Sequence, residues 1–394
     1  MKIVQINTFP YKATGTIMLS LQKRIQEKGD ICYSVWGRGR KGENKYEISM
    51  YDKMGIRWHG VYSRLFDKTG FASKKTTLEL IKKLEKINPD IIHLHNLHGY
   101  YINVELLFNY IKKHNKKVVW TLHDCWPFTG HCAYFDMVKC EKWKTGCNKC
   151  PQLSTYPKSL LFDNSKWNWK KKQELFAGIS ITFVTPSQWL KDIVKKSFLK
   201  ENNVVVIHNG IDLDVFSHSE KNKKAGLGIN DKKMILGVAS EWTERKGLKD
   251  FIKIRKELSE GFVIVLIGLT EKQIKDLPRG IIGLERTQNV QELVQYYSSA
   301  DVFVNPTYED NYPTTNLEAI ACGTPVVTYE TGGSPETLEQ GITGYVVPQG
   351  DWIKLSKTIQ SVVKKQMCTN GMNMTKYGKQ KMLEEYMELY KKVI

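Results

Sequence analysis

No apolar run in the sequence is long enough to cross a membrane; the longest, such as 262–269, falls far short of the roughly eighteen residues a spanning helix requires. No leader segment is expected either, because Met1 and Lys2 lead straight into the strand-like run Ile3, Val4, Gln5, Ile6. A cytoplasmic chain is the expectation. The sequence has no helix-turn-helix pattern, no RNP-type aromatic pattern and no finger spacing, so nucleic acid is not expected as a partner. Internal repeats and low-complexity segments are absent. So is any recognisable acid-and-nucleophile carboxylate pair of the kind retaining glycoside hydrolases use.

What is present begins with size and charge. A chain of 394 residues exceeds what one hydrophobic core usually serves, so two domains are expected. Fifty-nine Lys and Arg against 41 Asp and Glu leave a formal charge of +18, which concentrates anionic ligands or surfaces nearby. That charge has two readings: a solvated lysine-rich surface, or electrostatic docking on an anionic membrane leaflet, which would make the protein peripheral on the inner face of the cell membrane.

Short β-branched runs alternate with helical patterns. Strand-like runs at 3–6, 31–36, 91–94, 118–122, 181–184 and 204–207 are separated by helical periodicity near 16–28, 77–87 and 104–113 and after Ser187. Runs apolar on both faces and joined by helices belong to a parallel sheet covered on both sides. After "HNGIDLDVF" at 208–216 and a lysine-rich stretch at 217–224, the rhythm restarts. Strands are expected at 234–238, 262–267, 281–282, 301–305 and 326–327, and helices near 247–258, 290–298 and 315–321.

The predicted fold class is α/β: two facing Rossmann-like, doubly wound parallel-sheet domains with a closing C-terminal helix. The expected boundaries are 1–207, with a cysteine-rich insertion around 125–165, then 208–375, then 376–394 as a helix packing back toward the first domain. Residues 40–75 read as a long irregular excursion. Such sheets bind ligands in a cleft at the carboxyl ends of their strands.

One stretch there carries chemistry. "TYEDNYPTTNLEAIACGTPVV" begins at Thr307, just after a strand stopped by Pro306, and leads through Thr314, Thr315 and Asn316, all cap candidates, into a helix. Unpaired amides at that entrance attract a diphosphate. Glu318, read as lying in the first helical turn, would accept hydrogen bonds from ribose hydroxyls, and Asp310 from a sugar; the bland alternative is a carboxylate beside the helix dipole and another in water.

The Asp310-x7-Glu318 frame, "EAIACGTPVVTYETGGSPE" from Glu318 to Glu336, "HNGID" and "GITGYVV" together resemble the retaining, nucleotide-sugar-dependent family-4 glycosyltransferases of the GT-B fold. Through "HLHNLHGYYIN", "NYPTTNLEA" and the cysteine-bearing insertion, the chain is most similar to members that build bacterial capsular and exopolysaccharides, colanic acid among them. The likeness runs over nearly the whole chain. It implies a hexosyltransferase without a catalytic metal, taking a UDP-sugar, or a GDP-sugar, to a saccharide or lipid-linked saccharide acceptor.

Carried onto matching positions, the resemblance implies a donor site. Lys246 and Arg245 would neutralise the diphosphate; Gly15 and Thr16, in the loop after the first strand, would approach it. Backbone around Leu284 and Arg286 would meet the base. Asp310, with Glu309 as its substitute, would hold the sugar; Asn311, Tyr312, Pro313, Thr314, Thr315 and Glu318 would line the donor, and Gly332, Gly333 and Glu336 would lie at its sugar end. Two departures stand out: the first acid is Asp310 where the family has Glu, and Ser240 occupies the place of a phosphate-binding Arg.

The resemblance places His123 beside the anomeric centre, grouped with Asp310 and Lys246 as catalytic candidates, and puts His98, Tyr100 and Trp126 on the acceptor side. His93 and His95 alternate along a strand, so a metal reading of the histidine cluster ranks below a buried structural one. Cys132, Cys140, Cys147 and Cys150 end in Cys-x-x-Cys within nineteen residues. They fit a structural zinc knuckle, with free or redox thiols second and disulfides third. Two rival functions remain beside the transferase: a GT-B-fold sugar-nucleotide epimerase and a zinc-bearing nucleic-acid binder.

Overall fold

The computed structural model describes residues 1–394. The chain divides into two compact units, 1–207 with 383–394, and 208–382.

The first unit holds seven strands: β1 (Lys2–Asn7), β2 (Ile31–Trp36), β3 (Glu47–Ser49), β4 (Ile91–Leu94), β5 (Lys117–Thr121), β6 (Ile181–Thr185) and β7 (Asn203–Val206). Their order is β3-β2-β1-β4-β5-β6-β7, and every pairing is parallel. Helices α1 (Lys12–Glu27), α2 (Lys53–Phe66), α3 (Lys74–Ile87), α4 (Val104–Lys113), α5 (Ser165–Phe176) and α6 (Gln188–Val194) supply the crossovers. Leu80 and Leu84 of α3, Leu107 and Phe108 of α4 and Leu190 of α6 pack with Val4, Ile92 and Val118 of the strands into one core.

The second unit has six strands, again all parallel: β8 (Lys233–Val238), β9 (Phe262–Ile267), β10 (Ile281–Leu284), β11 (Val302–Asn305), β12 (Val326–Tyr329) and β13 (Gly344–Val347), ordered β10-β9-β8-β11-β12-β13. Its helices are α7 (Leu248–Glu257), α8 (Glu271–Lys275), α9 (Val290–Ser299), α10 (Thr314–Ala321) and α11 (Trp352–Lys364). Successive strand residues feed opposite faces. Ile235 of β8 joins the core with Phe251 of α7 and Ile359 of α11, whereas its neighbours Met234 and Leu236 join the one with Tyr297 of α9 and Ile320 of α10. The last helix, α12 (Lys379–Val393), starts in the second unit and ends in the first.

Three features differ from the sequence expectation. The stretch 40–75 is not irregular, for it contains β3 and the fourteen-residue α2. Gly15 and Thr16 lie inside α1, not in a loop. A Cβ at Gly15 would stand 2.5 Å from the carbonyl carbon of Pro10, so this glycine lets the helix pack against the backbone that precedes it. Glu318 falls in the second turn of α10, whose N-cap is Pro313 with no side-chain cap, so Thr314 to Asn316 are helical residues and not its caps.

Candidate functional site

In the second sheet the strand order reverses between β8 and β11, the position where open parallel sheets bind ligands beyond their carboxyl ends. The loop after β8 carries Arg245 and Lys246; the loop after β11 carries Glu309 and Asp310. These loops meet. Lys246 Nζ donates to Asp310 Oδ2 at 2.5 Å, and Arg245 Nη1 donates to the Glu309 carbonyl oxygen at 2.5 Å. The Tyr308 amide returns a bond to the Arg245 carbonyl at 2.7 Å. Both cations therefore point at the acidic loop, while Ser240 is exposed. Of the two acids, Asp310 is partly exposed and ion-paired, and Glu309 is buried.

Two glycines hold that loop from either side. A Cβ on Gly247, at φ +77°, would meet the Pro306 carbonyl oxygen at 2.1 Å; one on Gly332, at φ +52°, would meet the Asp310 carbonyl oxygen at 1.8 Å. Neither position tolerates a side chain without moving backbone. The Tyr308 hydroxyl reaches the buried Asp250 at 2.6 Å, and Tyr329 donates to the same oxygen at 2.9 Å, so the loop is anchored to the start of α7.

Thr314 and Thr315 open α10 and are partly exposed, while Asn311, Tyr312 and Pro313 before them are buried. Tyr312 stacks on His208 with ring centroids 4.8 Å apart. Glu318 Oε2 accepts from the Tyr297 hydroxyl at 3.0 Å and Oε1 from the Thr314 hydroxyl at 3.3 Å. Burial raises this carboxyl above the ordinary range, and the two hydroxyl donors oppose the rise. Gly333 is buried, and Glu336 sits in a one-turn 3₁₀ helix beyond it, its amide bonded to the Gly333 carbonyl. At the end of β10 the Leu284 carbonyl accepts from the amides of Gly268 and Leu269, at 2.9 and 3.1 Å, whereas Arg286 is exposed.

In the first unit, the histidines form a directed chain. Gln5 Nε2 donates to the Met18 carbonyl at 2.9 Å, leaving its Oε1 to accept from His95 Nε2 at 3.3 Å. His95 Nδ1 must then accept from His123 Nε2, 3.1 Å away, so the unprotonated nitrogen of His123 is Nδ1. Burial drives the His123 pKa down to about 4, so the ring is neutral near pH 7. His93 joins neighbouring groups, Thr121 at 2.8 Å and Tyr390 of α12 at 2.7 Å.

His98 is paired with Asp124 at 2.8 Å and with the Tyr156 hydroxyl at 3.0 Å, and Tyr100 packs against Tyr156. Trp126, expected on the acceptor side, is deeply buried. It is 2 % exposed and lies beneath the fully buried Lys172, whose Nζ stands 3.6 Å from the ring centroid and donates to the Trp126 and Thr129 carbonyls. Asp124 and Tyr156 escaped the sequence reading, although Asp124 directly follows His123; Tyr297, the partner of Glu318, carries no motif at all.

Cys132, Cys140, Cys147 and Cys150 line one cavity of about 10 Å³. The Gly130 amide donates to Cys147 Sγ at 3.2 Å, and Cys132 shares a hydrogen bond with Cys150 that lowers the Cys150 pKa to about 7. The expected knuckle is nevertheless not preformed, because no group of three or more His, Cys, Asp or Glu side chains is converged as a metal shell. The same holds for the histidines. All eight cysteines are free thiols, so the four are not joined by disulfides.

A family model described as Glycosyltransferase Family 4 matches residues 16–215, and one described as Glycosyl transferases group 1 matches residues 219–381. The chain is 25% identical to the Escherichia coli K12 protein described as a colanic acid biosynthesis glycosyl transferase, WcaC, over 99% of each chain. Among solved structures, it superposes on sucrose-phosphate synthase of Thermosynechococcus elongatus with a TM-score of 0.73 at 14% identity, covering 100% of this chain and 98% of that one. HepE of Anabaena, in complex with UDP-glucose, gives a TM-score of 0.67 at 14% identity over 100% of both chains. These last two likenesses bear on the fold, which is GT-B.

Proposed function

The chain belongs to glycosyltransferase family 4, and from that premise we propose that it moves one hexose from a UDP-sugar to a hydroxyl of a saccharide carried on a lipid, with retention at the anomeric carbon, in the making of a bacterial surface polysaccharide. The observation that carries the donor half is the Lys246–Asp310 pair at the reversal of the second sheet, beside the uncapped entrance of α10. The base and the pathway are supported by relatives: a fold neighbour was solved with UDP-glucose, and the full-length relative is described by colanic acid biosynthesis.

Lys246 and the opening amides of α10 offset the charge that grows on the diphosphate as its bond to the anomeric carbon breaks. Arg245, held against the Glu309 carbonyl, fixes the loop that presents Asp310 to the sugar. Glu318 accepts from ribose hydroxyls with the lone pairs that Tyr297 and Thr314 leave over. The acceptor oxygen bonds to the same face of the anomeric carbon, and its proton passes to the departing phosphate, so no side chain acts as a strong base. His123, neutral and with Nδ1 as its acceptor, is assigned to the sugar, with His98 and Tyr100 on the acceptor side.

The test is product analysis. An α-linked donor gives an α-linked glycoside and UDP only when acceptor is supplied; an inverted linkage sinks the retaining assignment, and donor turnover without acceptor favours an epimerase.

The four cysteines are assigned to a structural zinc ion on the strength of their shared cavity and the amide donor to Cys147. Plasma mass spectrometry of purified protein is expected to find one zinc per chain that is lost in Cys147→Ser/Cys150→Ser; a metal-free wild type refutes it. The protein is placed in the cytoplasm, on the inner face of the membrane where lipid-carried acceptors lie.

A further inference from the structure

Helix α2 buries one side and leaves the other bare. His59, Gly60 and Ser63 face the interior, whereas Met54, Trp58 and Val61, spaced by four and three residues, form a stripe on the opposite side. Met54 is 59 % exposed and Trp58 is 68 % exposed. The segment 160–162 extends that stripe. Its backbone is tied to the end of α2 by Leu160 N to the Arg64 carbonyl at 2.7 Å and Phe162 N to the Leu65 carbonyl at 3.3 Å, and the Phe162 ring stacks on Phe66. Leu161, at 69 % exposure, and Phe162, at 53 %, project with Leu160 into solvent. Scattered single apolar residues need no explanation, but seven large ones joined through one helix and one tethered loop do.

The surrounding charge selects the occupant. Lys53, Arg57 and Arg64 are exposed on α2, which has no acidic residue within it, and Lys158 and Lys166 are exposed beside the loop. The nearby acids are already engaged: Asp52 caps α2 through Gly55, Asp67 is buried against His131, and Asp163 accepts from Cys150, Ser165 and the Ser165 hydroxyl. A second copy of this chain would bring the same cations to a two-fold contact and be repelled. An apolar ridge rimmed by unpaired cations fits the boundary between phosphate headgroups and acyl chains.

We propose that α2 and residues 160–162 form a docking surface for an anionic phospholipid bilayer. Trp58, Met54, Leu161 and Phe162 enter the headgroup boundary, and Lys53, Arg57 and Arg64 pair with lipid phosphates. This goes beyond the sugar-transfer reading and is measured without turnover, so either can fail alone.

The test is co-sedimentation of the full chain with vesicles of phosphatidylcholine, with and without phosphatidylglycerol. Binding to the anionic vesicles is expected, about tenfold or more above the zwitterionic ones, and weakened by salt. Trp58→Ser/Leu161→Ser should lose about tenfold of that affinity, and Arg57→Gln/Arg64→Gln the anionic preference, both with an unchanged melting temperature. Equal partitioning into both vesicle types, no partitioning, or variants that bind like the wild type would overturn the proposal. So would a self-association that Trp58→Ser/Leu161→Ser abolishes while vesicle binding stays unaltered.

Discussion

Lys246 and Asp310 share an ion pair that is about one-fifth exposed, so water reaches it and a diphosphate can compete for the ammonium. Removing the cation is expected to cost more than removing a contact in the base pocket, because the leaving group gathers charge as the bond breaks. Lys246→Ala should lower kcat/KM by about a hundredfold or more, read by steady-state release of UDP with an unchanged melting curve; activity within about twofold of wild type would contradict the assignment. Asp310→Glu restores the family's longer acid and should keep activity, whereas Glu309→Gln, at a buried position, should be felt chiefly in stability. The sequence alone left Asp310 and Glu309 interchangeable, since adjacency says nothing about burial, and the direction of Arg245 was equally hidden in it.

At the scale of elements, two predictions follow from close packing and from protons. The loop at 306–310 lies between Gly247 and Gly332, so Gly332→Ala should destabilise the second unit by about 1–3 kcal/mol and displace Asp310; denaturant unfolding coupled to a UDP-release assay checks both. In the first unit, His59 accepts from the Gly70 amide through Nε2 and donates to Ser73, and burial lowers its pKa to about 3, as it does for His93. Unfolding raises those values to the ordinary histidine range, so the unfolded chain binds more protons between them. Stability is then full above about pH 6.5 and falls as pH drops toward the folded values, by about 2 kcal/mol per histidine at pH 5. Equal denaturation midpoints at pH 7.5 and pH 5 would refute this. The strands were legible because both faces of a parallel sheet are buried, which writes β9 as an unbroken apolar run. Helix α2 was not, because its large apolar residues face outward while His59, Gly60 and Ser63 are the buried ones, the reverse of the pattern that marks a core-facing helix. The loop placement expected of Gly15 failed for a related reason: a glycine required by backbone contact inside a helix looks identical in sequence to one in a turn.

For the whole molecule, the formal charge of +18 admitted two readings from sequence, and the exposed cations of α2 give the membrane reading a particular surface. No helix is long and apolar enough to cross a membrane. The family and the two-sheet architecture were readable from motifs that sit on backbone requirements: a proline ending β11, glycines gripping a loop, an acid early in a helix. The first-unit polar network was legible only as histidine spacing, because its partners Asp124 and Tyr156 come together through folding. The central claim is that Lys246 and the start of α10 grip a diphosphate. Calorimetric titration of UDP and GDP into wild type, Lys246→Ala and Glu318→Gln tests it most directly. Saturable UDP binding that weakens by about tenfold or more in each variant is the expected result; both variants binding UDP as the wild type does, or no diphosphate binding at all, would contradict it.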